Sequence, residues 1–236
     1  MEFMIAGAIA ELMSLAVAAK KTLFSSFKTP AMRLNGKKQK VAIYIHGGMF
    51  APPQSYSFWQ SYLARHIRPR THVNLPRGVV WHHSHLEPYL ASAPYDESMQ
   101  EIHIGHSMGG FISLMRLYDE QALQSDRILK VILVGTPLNP EHLHPLVVRT
   151  IVRLLAGVNP RLLPPRLQQI QDVRQNGTIA KKVAIIASSK DVLFPPKACY
   201  LEGADYREVK NTTHVGMAHD VDTCKTACSI INSALR

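Results

Sequence analysis

A serine bracketed by glycines is the strongest chemical signal in the sequence. Ser107 lies in the segment Ile102–Gly110, IHIGHSMGG, with Gly105 two residues before it and Gly109 two residues after it. An apolar run typical of a buried strand precedes the serine, and an amphipathic helical pattern follows it. Small neighbours permit a sharp bend that raises the serine to the carboxyl edge of a sheet, where open α/β folds bind ligands. This pattern predicts a nucleophile.

The segment around Ser107 resembles the nucleophile elbow of the α/β-hydrolase superfamily, since a strand, the sequence GHSMGG and a helix follow one another. A serine hydroxyl is a poor nucleophile unless a base takes its proton and donors stabilise the oxyanion. The superfamily supplies these groups in the chain order serine, acid, histidine. The resemblance covers residues 40–225 and implies where each group should be found.

The oxyanion hole is expected in the loop after the first strong strand. The segment Tyr44–Met49, YIHGGM, is similar to the His-Gly motif of the family. The resemblance implies donors from the backbone N–H of Gly48 or Met49, together with that of Met108 after the nucleophile. The residues expected to contact the substrate are His46, Gly47 and His106.

The acid is expected after the penultimate strand. The segment Ser188–Pro196, SSKDVLFPP, is similar to the acidic residue, apolar residue and proline that open a helix in the family. The resemblance implies that Asp191 orients and charge-stabilises the catalytic imidazolium. Glu141 is the alternative, because some members carry the acid after the preceding strand.

The base is expected after the last strand. The segment Asn211–Met217, NTTHVGM, resembles the histidine, branched apolar residue, glycine and large apolar residue of small bacterial lipases. The resemblance favours His214 over His219 as the general base.

Strand and helix patterns alternate along the chain and would position these residues. The predicted strands are Val41–Ile45, His72–Leu75, Glu101–Ile104, Ile128–Val134, Lys182–Ala187 and Tyr206–Val209. The predicted helices are Ser55–Ile67, Gly109–Asp119 and the chain from Val221 onwards. Continuous apolar strands that alternate with helices indicate an α/β fold with a mostly parallel sheet and helices on both faces. This is the architecture of the α/β-hydrolase fold.

Two segments stand apart from this alternation, and the hydrolase domain is expected to span residues 31–236. Residues 137–177 contain no strand pattern, several prolines and a basic amphipathic pattern, which favours a small helical cap over a pair of crossover helices. Residues 1–30 begin with a largely apolar run that ends at Lys20 and Lys21. We interpret them as an amphipathic helix at a membrane interface or on the domain, with a targeting segment as the alternative.

The composition restricts the partners. A formal charge of +10 favours an anionic partner such as a phospholipid surface, and without a zinc-finger spacing, P-loop or RNA-binding signature no nucleic acid is expected. Three cysteines form no disulfide framework, and Cys224 and Cys228 are predicted to be small buried or half-buried side chains of one helix face. We expect a cytoplasmic or membrane-associated protein, with export as the alternative.

No metal or cofactor is expected. The segment Trp81–His85, WHHSH, holds three imidazoles, but adjacent residues on an extended loop do not give the geometry of a zinc site. The sequence therefore predicts a serine hydrolase for carboxylic esters, with a lipid or another acyl ester as substrate. A thioesterase or acyltransferase with the same triad, and a binding protein without catalysis, are the alternatives.

Overall fold

The sheet forms the centre of the molecule. In a computed structural model the described residues are 41–48, 56–67, 71–73, 99–122, 125–145, 168, 171–173 and 175–236. The strands are β1 Val41–His46, β2 Thr71–Val73, β3 Gln100–His106, β4 Ile128–Val134, β5 Val183–Ser188 and β6 Asp205–Val209. They form one sheet in the order β2-β1-β3-β4-β5-β6, and every neighbouring pair is parallel.

Helices cover both faces of the sheet. They are α1 Ser57–His66, α2 Gly109–Ala122, α3 Gly177–Lys181, α4 Pro196–Cys199 and α5 Val221–Ala234. Short 3-10 helices lie at Pro140–His142 and Gly216–Ala218. None of the described helices is both long and apolar enough to cross a bilayer.

Successive residues of the central strands belong to opposite cores. In β4, Ile132 and Val134 pack with side chains of α1 and α5, while Val131 and Leu133 pack with side chains of α2. Side chains alternate between the two faces of a strand, so a strand covered on both faces must be apolar throughout. This explains why β4, ILKVILV, is apolar at every position except the half-buried Lys130.

The predicted fold class is confirmed, and the predicted strands and helices match the observed ones with small changes at their ends. The helix α2 continues three residues beyond its predicted end, and β3 continues two residues further, to His106, so that it ends directly before Ser107. Cys224 and Cys228 are buried in α5, as predicted. Residues 1–30, most of the expected cap and the segment Trp81–His85 lie outside the described residues.

Candidate active site

Ser107 occupies the turn between β3 and α2. Its φ angle is 56°, a left-handed backbone conformation that is uncommon for a residue with a side chain. The N–H of Ser107 donates to the carbonyl of Val134 at 2.9 Å, which fixes the turn to the end of β4. Residues held in such conformations cluster at functional sites, where the surrounding structure must offset the strain.

The two bracketing glycines are required by close backbone approaches. A Cβ atom on Gly105 would lie 2.4 Å from the Cα of Gly110. A Cβ atom on Gly109 would lie 2.2 Å from the carbonyl oxygen of His46. Real Cβ atoms essentially never come within 3.0 Å of backbone atoms, so any side chain at either position would open the turn.

Asp191 and His214 form a buried hydrogen-bonded pair. The Nδ1–H of His214 donates to Oδ2 of Asp191 at 2.8 Å, and the aspartate is only 2% exposed. The other carboxylate oxygen, Oδ1, accepts the backbone N–H groups of Leu193 at 3.0 Å and Phe194 at 2.8 Å. Because both oxygens are held, the carboxylate has a fixed orientation. The pair places the proton of a neutral imidazole on Nδ1 and leaves Nε2 as its basic nitrogen.

Packing also restricts the imidazole ring of His214. The ring of Phe194 meets it edge to face, with centroids 4.6 Å apart. Gly135 lies against the acid–base pair, because a Cβ atom there would be 3.1 Å from Nδ1 of His214 and 3.3 Å from Oδ2 of Asp191. Gly135 has a φ angle of +54°, which adds a conformational reason for glycine at this position.

The structure brings the predicted nucleophile, acid and base to one edge of the sheet. Ser107 follows β3, Asp191 follows β5 and His214 follows β6, and the carboxyl ends of parallel strands meet at the same edge. The ring of His106, next to Ser107, stacks on the ring of His214 at a centroid distance of 4.8 Å. The contact of the serine hydroxyl with the base, on which a triad depends, stays a prediction.

Neither the alternative acid nor the alternative base is part of the Asp191–His214 pair. Glu141 is exposed on the 3-10 helix Pro140–His142, whereas Asp191 is the carboxylate that holds His214. His219 is buried just after the second 3-10 helix, and its backbone N–H donates to the carbonyl of Gly216.

The predicted oxyanion loop lies close to the nucleophile. A Cβ atom on Gly48 would be 3.1 Å from Cβ of Ser107. The N–H of Gly48 donates to the hydroxyl of Tyr56 at 2.7 Å, so this donor is already engaged. Met108 is half-buried directly after Ser107, and Met49 lies outside the described residues. The choice of donors stays a prediction.

The three residues expected to contact substrate are buried. Gly47 lies beneath the ring of Tyr56, since a Cβ atom there would be 2.7 Å from Cε2 of that ring. The ring of His106 hydrogen-bonds to Tyr56 and to the carbonyl of His214. His46 hydrogen-bonds to His103 at 2.9 Å. Their contact with a substrate stays a prediction.

A buried polar chain leads away from His46 along one face of the sheet. Nε2 of His46 is 2.9 Å from Nδ1 of His103, and Nε2 of His103 is 2.9 Å from Oε2 of Glu101. Glu101 also receives the guanidinium groups of Arg127 and Arg116. Burial of His46, and secondarily the nearby His103, holds the pKa of His46 well below 6.5. Burial likewise lowers the pKa of His103, although the hydrogen bond to Glu101 opposes this effect.

The carboxylate at the end of this chain is stabilised in its charged form. Burial by itself would raise the pKa of Glu101, but the hydrogen bond and charge of His103, with Arg116 and Arg127, lower it below its ordinary value. Glu101 and His103, at positions i and i+2 of the buried strand QEIHIGH, were the sequence signal for this series of hydrogen bonds. No comparable signal marks Tyr56, which contacts Gly48 and His106 only through the fold.

The described residues offer no candidate metal centre. Within this part of the chain, no group of three or more histidine, cysteine, aspartate or glutamate side chains is arranged to hold a metal ion.

The architecture matches solved hydrolase structures. Human thioesterase 2 superposes with a TM-score of 0.55 at 11% identity, over 83% of this chain and 96% of the other. An esterase from the hyperthermophilic archaeon Pyrobaculum calidifontis gives 0.54 at 14% identity, over 100% of this chain and 93% of the other. The protein has the α/β-hydrolase fold.

A third similar structure is a lipase-esterase related protein from Clostridium acetobutylicum, with a TM-score of 0.53 at 12% identity over 86% of this chain and 98% of the other. No family model and no curated protein matches the sequence. The protein therefore shares its fold with thioesterases, esterases and lipase-esterase related proteins.

Proposed function

We propose that this protein is a serine hydrolase that cleaves carboxylic esters through an acyl-enzyme intermediate. Ser107 Oγ attacks the ester carbonyl while Nε2 of His214 takes its proton. His214 then returns the proton to the leaving alcohol, and the acyl group stays on Ser107. A water molecule, deprotonated by His214, attacks the acyl-enzyme and releases the carboxylic acid and the free serine.

The observation that carries this proposal is the buried Asp191–His214 pair at 2.8 Å on the sheet edge where Ser107 is strained. A buried carboxylate holding the correct tautomer of an imidazole is what a general base for serine requires. The charge of Asp191 also stabilises the imidazolium that forms when His214 takes the proton. Together these features support catalysis over a role in binding alone.

Apolar residues beside the acid support an acyl substrate. Val192 and Leu193 directly follow Asp191 and are 55% and 37% exposed. Exposed apolar side chains next to a catalytic group favour contact with an apolar chain. Lipids and longer acyl esters are therefore the substrate class that we propose.

A substrate series with matched variants tests this proposal. We expect p-nitrophenyl esters to be hydrolysed, with kcat/KM rising from acetate to longer chains. Ser107→Ala should lower kcat by about 10⁶-fold, and Asp191→Asn by about 10⁴-fold, because the latter keeps the geometry but favours the wrong tautomer. Glu141→Gln is the matched control, since it neutralises the alternative acid, and it should retain wild-type activity.

The results separate the remaining reactions. Faster cleavage of a thioester than of the matched oxygen ester would indicate a thioesterase, and ester formation with added alcohol would indicate an acyltransferase. Hydrolysis that persists in Ser107→Ala would contradict the proposal, as would a loss in Glu141→Gln as large as that in Asp191→Asn.

A further inference from the structure

Three hydrogen bonds in series join the glycine loop after β1 to the loop that carries His214. Gly48 N–H donates to the hydroxyl of Tyr56 at 2.7 Å. The Tyr56 hydroxyl is 2.7 Å from Nδ1 of His106, and Nε2 of His106 is 2.9 Å from the carbonyl oxygen of His214. All four residues are buried, and Tyr56 is only 1% exposed.

The two ends of this series fix the direction of every bond. A backbone N–H can only donate and a backbone carbonyl can only accept. His106 must therefore carry its proton on Nε2 to donate to His214, which leaves Nδ1 to accept the proton of the Tyr56 hydroxyl. This arrangement requires a neutral imidazole, and burial lowers the pKa of His106 to about 3, with a smaller contribution from the nearby His214.

The sheet itself does not connect the segments that this series joins. Gly48 follows β1 and His214 follows β6, and the strands β3, β4 and β5 lie between β1 and β6. The series spans this distance at the edge where Ser107 lies. A further hydrogen bond joins the same two parts of the molecule, since Nε1 of Trp59 in α1 donates to the carbonyl of Met217 at 3.2 Å.

We infer that Tyr56 and His106 are positioning residues that fix the predicted oxyanion loop relative to the general base. This inference rests on the proposed function. It gives His106 a role other than substrate contact, and it gives the Gly48 N–H a structural partner, Tyr56, rather than the oxyanion. Donors that are held in place before the reaction cost no reorganisation when the oxyanion forms.

Tyr56→Phe tests the series with the smallest change, because only one hydroxyl is lost. The loop and His106 lose their shared partner, and we expect kcat to fall about 10-fold with KM changed less than about 2-fold. Tyr62→Phe is the matched control, since it removes a hydroxyl from the same helical segment and should retain the wild-type kcat. If the Tyr56 hydroxyl only stabilised the fold, Tyr56→Phe would lower the free energy of unfolding without this selective loss of kcat.

Two substitutions of His106 supply a rescue experiment. His106→Gln keeps an acceptor for the Tyr56 hydroxyl and a donor for the His214 carbonyl, whereas His106→Leu keeps neither. We expect His106→Leu to lower kcat about 10²-fold and His106→Gln to recover most of that loss. Equal kcat in the two variants would overturn the inference. An increase of kcat in Tyr56→Phe would also overturn it, because Gly48 would then be the oxyanion donor that Tyr56 occupies.

An NMR readout keeps the inference separate from the proposed function. In the wild type, we expect the Nε2–H tautomer for His106 and strong protection of the Gly48 amide from hydrogen exchange. Protection should fall in Tyr56→Phe and persist in Tyr62→Phe. If the wild type hydrolyses no ester, the proposed function fails, while these spectra still decide the bonding series. The inference is contradicted if His106 carries its proton on Nδ1, or if protection of the Gly48 amide is unchanged in Tyr56→Phe.

Discussion

Gly135→Ala should lower activity out of proportion to its effect on stability. The new Cβ would lie 2.6 Å from Cε of Met217, the end of a flexible side chain that can turn aside, 3.1 Å from Nδ1 of His214 and 3.3 Å from Oδ2 of Asp191. Comfortable contacts begin at about 3.5 Å, so the acid–base pair must move by a few tenths of an ångström. Since a displacement of about 1 Å can cost about 10²-fold in rate, we expect a loss of about 10-fold in kcat.

Gly203→Ala is the control that distinguishes displacement of the acid–base pair from backbone strain. Gly135 has a φ angle of +54° and Gly203 one of +81°, so the backbone strain of alanine alone should cost about 1–2 kcal/mol of unfolding free energy at either position. A Cβ atom on Gly203 meets only Cβ of Ala180, at an ordinary 3.5 Å. Gly203→Ala should therefore lose stability and keep its activity.

The assay is steady-state ester hydrolysis together with urea unfolding of both variants. Hydrolysis should be measured well below the unfolding transition, so that both proteins remain folded. Wild-type kcat in Gly135→Ala, or an equal loss of kcat in Gly203→Ala, would refute the account of how Gly135 supports the acid–base pair.

The other predictions concern pH, a buried charge and the membrane. His46 and His106 are neutral when folded and have an ordinary pKa of 6.5 when unfolded, so their contribution to stability is present above that pH and is lost below it. Urea unfolding should show about 2.5 kcal/mol less stability from these two groups at about pH 5.5 than at neutral pH, and stability that does not fall would contradict this. Glu101→Gln should cost about 3 kcal/mol in the same measurement because it removes the buried negative charge that pairs with Arg116 and Arg127, while Asp126→Asn, the exposed control, should cost little. Neutralising three basic residues of the expected cap, Arg149, Arg153 and Arg161, should weaken binding to anionic liposomes at low salt. Equal binding to neutral liposomes would leave these arginines without a membrane role.

The fold was predictable because local patterns and long-range packing agree. Strands such as VAIYIH and VAIIAS are buried along their whole length, so their apolar runs identify a sheet covered on both faces. The glycines around Ser107 were equally informative, because a turn with such close backbone approaches leaves no room for a Cβ atom.

The surroundings of the site were harder to predict because they depend on contacts between distant residues. Tyr56 and His106 are 50 residues apart, and no local pattern pairs them. The sequence places Gly135 at the end of a strand but does not show that it lies against His214. The engagement of the Gly48 N–H by Tyr56 likewise follows only from the folded loop, so Gly48 and Met49 were equivalent candidates in the sequence.

Covalent labelling of Ser107 is the most direct test of the central claim. Wild-type protein treated with a fluorophosphonate probe should gain one adduct, and peptide mapping should locate it on Ser107. Labelling should be absent in Ser107→Ala and in heat-unfolded wild type, because it requires a serine activated by the folded site. An adduct that persists in Ser107→Ala, or a folded wild type that takes no probe, would contradict the assignment of this protein as a serine hydrolase.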